Sequence, residues 1–439
     1  MSEDTDHKLA ATVAEGGRLR ALVLELWQRT RMDWGFVSDR LSTTFRKEKW
    51  IGSHERRFVG ETLYGLVRHL RRVDAALARG KPGKSPRDLE RLIALFVLEK
   101  LIEPDRAKRL DPSVDWNAVA GIDAAIAAER KQVARIALAA SLPDWLAERL
   151  VAEWGARAEP LALALNHRAP MTVRANLLVG DRAALAAELS TEMLETRAGL
   201  WSDTALIVES RTNLFATAAF KRGALEAQDE GSQLLADLAI AGLAGKKPLV
   251  IDLCAGAGGK TLAIAARHAN HGRIIATDVD SRKLDELRRR ARRAQVSNAQ
   301  AIALEAGAWP AALDSQRGKA DVVLVDAPCS GIGALRRNPE ARWRLREADL
   351  QTFASRQREI LTNAVNLLAP GGRLVYATCT LLAIENSVAD SIAGVTPVPL
   401  AEVLGDAAAP FDLRGDGSFT VLPSEHGTDG FYARVLRKS

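Results

Sequence analysis

The sequence predicts an α/β protein whose C-terminal half is a doubly wound parallel sheet, and three observations carry that expectation. From Pro248 onward, apolar runs of strand length alternate with amphipathic helical patterns. A glycine-rich turn, Asp252 to Thr261 (DLCAGAGGKT), joins the first of these strands to the first helix, the place where this fold class binds ligands. The stretch from residue 1 to about 135 is different: helical periodicity runs through it with no strand pattern, as in Phe58, Val59, Leu63, Leu66 and Leu70.

Taken in order, the chain divides into residues 1–139, 140–225 and 226–439. The first is an all-α region. Residues 142–170 form a proline-started helical pair ending in Pro170, a join between domains. Beyond it, a strand at Met171 to Leu178, a helix at Arg182 to Leu189 and a short strand at Leu206 to Val208 make a small α+β insert. The alternating region then reads PLVIDLC, Lys260 to His268, GRIIATD, Ser281 to Ala294, AIALE, DVVLVD, Leu350 to Leu368 and GRLVYATC. SFTVL and FYARVL close the chain as a hairpin that adds an antiparallel strand.

Length and composition narrow the class. At 439 residues the chain exceeds a single core. Its apolar runs are shorter than a membrane span, and the N-terminus MSEDTDHK lacks the pattern of a signal peptide, so a cytoplasmic protein without membrane attachment is expected. Cys254, Cys329 and Cys379 are the three cysteines; none forms a C-x-x-C pair, so free thiols are expected rather than disulfides or a metal site. The formal net charge of +6 suits a polyanionic partner. The run RRRARR at 288–293 reads as a solvated helix face, whereas the basic residues Arg336 to Arg346 follow Cys329 closely and would meet a phosphate backbone.

Chemistry concentrates at two strand ends. Val322 to Val325 is a buried parallel strand that stops at Asp326, after which Pro328 stiffens the turn and Gly331 and Gly333 permit close backbone approach. Cys329 is thereby held near the carboxyl end of the strand. Leu374 to Thr380 (LVYATCT) is a second buried strand ending in a thiol, Cys379. In the glycine turn neither G-x-G-x-x-G nor a Walker spacing is present, which favours a small ligand without a pyrophosphate. Asp278 ends the next strand, about twenty residues on, where a carboxylate accepts hydrogen bonds from ribose hydroxyls.

With Asp326-Ala-Pro-Cys329-Ser-Gly331 and Thr378-Cys379-Thr380 both complete, and Arg336, Arg337, Pro339, Glu340, Glu385 and Asn386 matching in the flanks, the sequence resembles the S-adenosylmethionine-dependent RNA cytosine-5 methyltransferases of the RsmB (Sun) type. The resemblance implies a Rossmann-like methyltransferase domain, a parallel sheet with a terminal antiparallel strand, behind an all-α domain and a small α+β insert. Ser53 to Ala78 resembles the NusB-like RNA-binding domain of that family, and Gln228-Asp229-Glu230-Gly231-Ser232-Gln233 resembles its entry into the catalytic domain. By position, the cofactor site implied for S-adenosylmethionine is Cys254, Ala255, Gly256, Ala257, Gly258, Gly259, Lys260, Asp278, Glu305 and Asp326. Three positions depart from the family pattern: Gly256 for Ala, Ala257 for Pro and Glu305 for Asp.

Carbon 5 of cytosine is too weakly nucleophilic to attack a methyl sulfonium, so the ring must first be activated by addition at carbon 6, for which a thiolate is suited. The resemblance assigns that attack to Cys379, contact with the cytosine edge to Asp326, and loss of the carbon 5 proton or product release to Cys329. Lys260 either orders Asp326 or caps local charge. A base must leave its stack to react, so the target is a loop, a bulge or opened RNA. Ribosomal RNA, specifically the 16S small-subunit rRNA, is the expected partner, and the protein is expected to act as a monomer without a metal. Methylation of tRNA or mRNA, and a non-catalytic assembly factor that binds RNA, are the alternatives.

Overall fold

The computed structural model describes residues 2–210, 213–305 and 311–439. They form two compact units: residues 1–167 with 335–347, and residues 168–334 with 348–439.

The first unit is helical. Its longest element, Ser53–Gly80, buries Phe58, Val59, Leu63, Leu66 and Val67, a spacing of three and four residues that places them on one stripe. These side chains share a core with Trp27, Phe96 and Trp116. Residues 335–347 join the same unit through Arg342, which is fully buried. Its Nη1 donates to the carbonyls of Ala140 at 3.0 Å and Arg68 at 3.1 Å and to Asn166 Oδ1 at 2.6 Å. Trp343 Nε1 donates to the Val67 carbonyl at 2.7 Å.

The second unit contains two sheets. Strands β1 (Met171–Ala175), β2 (Thr196–Ala198), β3 (Ala205–Val208) and β4 (Leu225–Ala227) form an antiparallel sheet in the order β2-β3-β1-β4, packed with the helix Arg182–Thr191. The larger sheet comprises β5 (Leu249–Asp252), β6 (Arg273–Asp278), β7 (Ala299–Ala303), β8 (Ala320–Asp326), β9 (Leu368–Thr378), β10 (Val395–Pro397), β11 (Phe419–Val421) and β12 (Phe431–Lys438). Its order is β10-β12-β9-β8-β5-β6-β7, with β11 on β12. The five strands from β9 to β7 are parallel, and β12 lies antiparallel to β9, Tyr432 opposite Thr378. Order and orientation are those of a Rossmann-like methyltransferase sheet.

Both faces are covered, which is why the strands read as unbroken apolar runs. Val250, Val322, Leu324 and Val375 pack with the helices Glu230–Ile240 and Gly259–Arg267. Their chain neighbours Ile251, Val323, Val325 and Leu374 point the other way, onto the helix Asp349–Leu367. Such a sheet leaves only its strand ends for polar chemistry. Among the described residues no helix is long and apolar enough to cross a membrane.

Candidate active site

The glycine turn is shaped by backbone conformation and by β6. Gly258 has φ +86°, and a Cβ there would stand 2.6 Å from Leu287 Cγ, so the turn excludes a side chain at this position on both counts. Asp278, at the end of β6, accepts from the Gly256 N–H at 2.9 Å and from the Asp280 N–H at 2.8 Å. One carboxylate thus ties the turn to the neighbouring strand, while the adjacent helix is capped by Asp280.

Over this turn opens a pocket of about 830 Å³, a size usual for a small-molecule site. Cys254, Ala255, Gly256, Ala257, Gly259, Lys260, Asp278, Glu305 and Asp326 line it; Gly258 does not. Asp252 lines it as well. Burial, with the Asp326 and Asp278 carboxylates nearby, raises the Asp252 pKa to about 6 against a hydrogen bond from Thr261. Asp252 Oδ1 has no hydrogen-bond partner among the described residues. Lys260 Nζ lies 2.5 Å from Asp326 Oδ2. Burial opposes the Lys260 charge, but the Asp326 carboxylate outweighs it and holds the ammonium pKa above its ordinary value.

The two thiols meet because β8 and β9 are parallel neighbours in a register that sets Asp326 beside Ala377. Cys329 Sγ and Cys379 Sγ are 3.3 Å apart, and both cysteines are free. Three backbone segments close on one another here: the Gly333 N–H donates to the Cys379 carbonyl at 2.9 Å and the Gly430 N–H to the Gly333 carbonyl at 2.9 Å. A Cβ at Gly333 would fall 2.1 Å from the Gly430 oxygen, so no other residue fits without moving these segments. The hydrogen bond with Cys379, then burial, then the negative charge of Cys379 and Glu385 push the Cys329 thiol well above its ordinary pKa.

Behind the thiols sits Glu385, fully buried. It accepts from the Ser330 N–H at 2.9 Å, the Ser330 hydroxyl at 2.5 Å and Gln357 Nε2 at 3.0 Å, and Gln357 Nε2 also donates to the Pro328 carbonyl at 3.0 Å. Pro328 and Ser330 flank Cys329, so its loop is fixed on both sides. In the sequence Glu385 is marked only by its match in the motif flank, and nothing in the local pattern of Gln357 marks it.

Other contributors to the pocket also escape the sequence. Arg356, Glu359, Ile360 and Asn363 line it from the helix Asp349–Leu367; their spacing of three and four residues marks one helix face, but not what that face meets. Arg290 corrects the solvated reading of RRRARR. It donates to the Ala257 carbonyl at 2.8 Å and to Glu226 Oε2 at 2.9 Å, while Arg293 pairs with the same buried Glu226. Arg290 therefore braces the glycine turn against β4, and Arg293 adds a second pairing to Glu226.

The family model described as 16S rRNA methyltransferase RsmB/F matches residues 243–437, and one described as an RsmF/B-like ferredoxin-like domain matches residues 142–214. The ribosomal RNA small subunit methyltransferase B of Xylella fastidiosa strain 9a5c is 33% identical over 317 residues, covering 71% of this chain and 72% of its own. The chain belongs to the RsmB/F methyltransferase family. The enzyme of the same name from Sodalis glossinidius is 34% identical over 305 residues, and the match spans 68% of this chain and 66% of that protein, just under two thirds of its length. The crystal structure of PH0851 has the same fold, with a TM-score of 0.74 at 23% identity over 98% of this chain and 99% of that one. Within the RsmB/F frame, β1 to β3 fall in the stretch matched by the ferredoxin-like model.

Proposed function

We propose that this RsmB/F protein methylates carbon 5 of a cytosine in 16S rRNA, drawing the methyl group from S-adenosylmethionine and working through a covalent bond to Cys379. The observation that carries the reading is the 3.3 Å approach of the two thiols beside Asp326. An enzyme that only presents a nucleophilic RNA atom to a methyl donor needs no such pair.

The pocket suits S-adenosylmethionine on the chemistry of its donors. Asp252 Oδ1, buried and without a partner, can take an ammonium group, and Asp278 and Glu305 can accept from ribose and adenine. Lys260 is hydrogen-bonded to Asp326 Oδ2 and not to Asp252. Bound there, S-adenosylmethionine supplies a methyl group carried on a cationic sulfur. The glycine turn, braced by Asp278 and Arg290, holds that ligand by backbone close approach.

The chain's own groups then divide the proton work. Cys329, whose pKa is raised, is the sulfur that keeps its proton and donates to Cys379, leaving Cys379 Sγ as the acceptor and nucleophile toward carbon 6. Asp326, kept in place by Lys260, contacts the cytosine edge at nitrogen 3 as charge develops in the ring. Once Cys379 is bonded to carbon 6, the largest cause of the raised Cys329 pKa is gone. Cys329 can then release its proton to solvent, and once carbon 5 carries the methyl group the Cys329 thiolate takes the carbon 5 proton as the Cys379–carbon 6 bond breaks and the ring regains its double bond.

Bisulfite sequencing of small-subunit rRNA from a deletion strain tests the reading. One unmethylated cytosine, restored by the wild-type gene and not by Cys379→Ala, is expected. An unaltered rRNA with a lost 5-methylcytosine in tRNA or mRNA would move the substrate, and no lost 5-methylcytosine anywhere would sink the activity.

A further inference from the structure

The parallel sheet has a second polar end. Where the strands begin, opposite the cofactor pocket, the start of β5, the turn into β6 and the residues before β8 surround a groove of about 720 Å³. Lys247, Asn270, His271, Arg273, Gln316 and Lys319 contribute to its walls, which carry no carboxylate and no Phe, Tyr or Trp. A neighbouring groove of about 350 Å³ shares Lys247 and Pro248 with the first and adds Lys246 and Arg373. Its acid, Asp321, is engaged by the Leu249 N–H at 2.8 Å.

Several cations elsewhere on this unit are matched by acids. Arg267 pairs with Asp203 and Asp237, and Arg288 with Asp285. In the groove Lys246, Lys247 and Lys319 are exposed, and no carboxylate of the described residues pairs with any of them. Arg273 binds the neutral Gln300 amide at 2.7 Å, which leaves its charge uncompensated. Like charges gathered around one concavity repel unless an anion sits among them.

We propose that this groove binds the phosphodiester backbone of the RNA substrate at a distance from the target base, without reading its sequence. Ammonium, guanidinium and amide donors suit phosphate oxygens. Recognition of unstacked bases would need stacking rings, which the groove lacks. Strands of four to seven residues separate groove and pocket, roughly 13–23 Å at the rise of a β-strand. Because helices cover both faces of the sheet, an RNA reaching both must run around them, a path longer than the strands themselves. The proposal requires that the substrate be RNA and is independent of the cytosine chemistry.

The test uses the full-length protein with Lys247→Glu and Lys319→Glu combined, and two probes: a small-subunit rRNA transcript and a short hairpin excised around the methylated cytosine. For the transcript, affinity at moderate salt should drop about tenfold, and the slope of log affinity against log salt should become shallower by about two, one per lost phosphate contact. Hairpin affinity, S-adenosylmethionine affinity and melting temperature should stay as in the wild type. Unchanged transcript affinity and slope would overturn the proposal, and so would an equal loss on both probes, which would mean a general change of charge. The milder Lys247→Gln with Lys319→Gln should give the same pattern at smaller size, and its absence there with a lowered melting temperature in the reversal would mark a folding defect and overturn the assignment. Failure of the wild type to bind the transcript at all would overturn this proposal and the RNA substrate together.

Discussion

Cys329 Sγ lies 3.3 Å from Cys379 Sγ although fifty positions separate the residues. If Cys379 forms the bond to carbon 6, Cys379→Ala should abolish methylation and leave no covalent complex. Cys329→Ala should accumulate a protein–RNA complex that survives denaturing electrophoresis, and the double variant should show none. A complex in Cys379→Ala but not in Cys329→Ala would exchange the two roles.

In the adduct the hydrogen bond with Cys379 is gone, but burial and Glu385 still raise the Cys329 pKa, which sets the direction of a pH effect. An acid with a high pKa must lose its proton before it can act as a base, so resolution of the wild-type adduct should quicken from pH 7 to 9, by up to about tenfold per unit. Quench-flow measurement of adduct decay checks this. A rate flat over that range would remove Cys329 as the base.

Glu385 positions the Cys329 loop through Ser330 and Gln357. Glu385→Ala removes three buried hydrogen bonds, leaves the Ser330 N–H without its acceptor, and should cost ~2–4 kcal/mol in denaturant unfolding. Glu385→Gln keeps the shape but sets its amide against that of Gln357. It should lower kcat about tenfold or more while S-adenosylmethionine affinity stays within about twofold, by analogy with other misplaced reactive groups. Equal losses in kcat and cofactor affinity would make Glu385 a general structural residue.

Asp252 carries a pH signature of its own. Its pKa is raised to about 6, so the carboxyl is protonated below that value, and a protonated carboxyl is a poor partner for an ammonium group. S-adenosylmethionine affinity should fall as pH drops from 7 to 5, and Asp252→Asn should bind weakly with no such slope. The folded state holds the Asp252 proton more tightly than the unfolded chain, so this group destabilises the ligand-free protein as pH rises from about 4 to about 6. Calorimetric titration across that range reads the first effect. A pH-independent affinity in the wild type would take Asp252 out of the site.

Asp278 accepts two backbone N–H groups and lines the pocket over the glycine turn. Asp278→Ala should weaken S-adenosylmethionine binding by about 1 kcal/mol or more. Unchanged affinity by calorimetry would leave Asp278 as a brace of the turn alone.

The sequence determined what a strand and the turn after it can state locally. Asp326, Cys329, Cys379, Asp278 and the glycine turn were legible because buried parallel strands are continuous apolar runs and their polar chemistry is confined to the ends. The alternation of strands and helices likewise set the sheet. Tertiary structure decided which distant side chains those ends would meet. The spacing of RRRARR implied a solvated face, yet Arg290 and Arg293 are engaged by Glu226, more than sixty positions away. Gln357 gives no local sign that it will donate to Glu385 behind a thiol. A helix pattern specifies which residues share a face but not what that face will pack against, because the partner is chosen by sheet register and by the need of every buried polar group for a hydrogen bond.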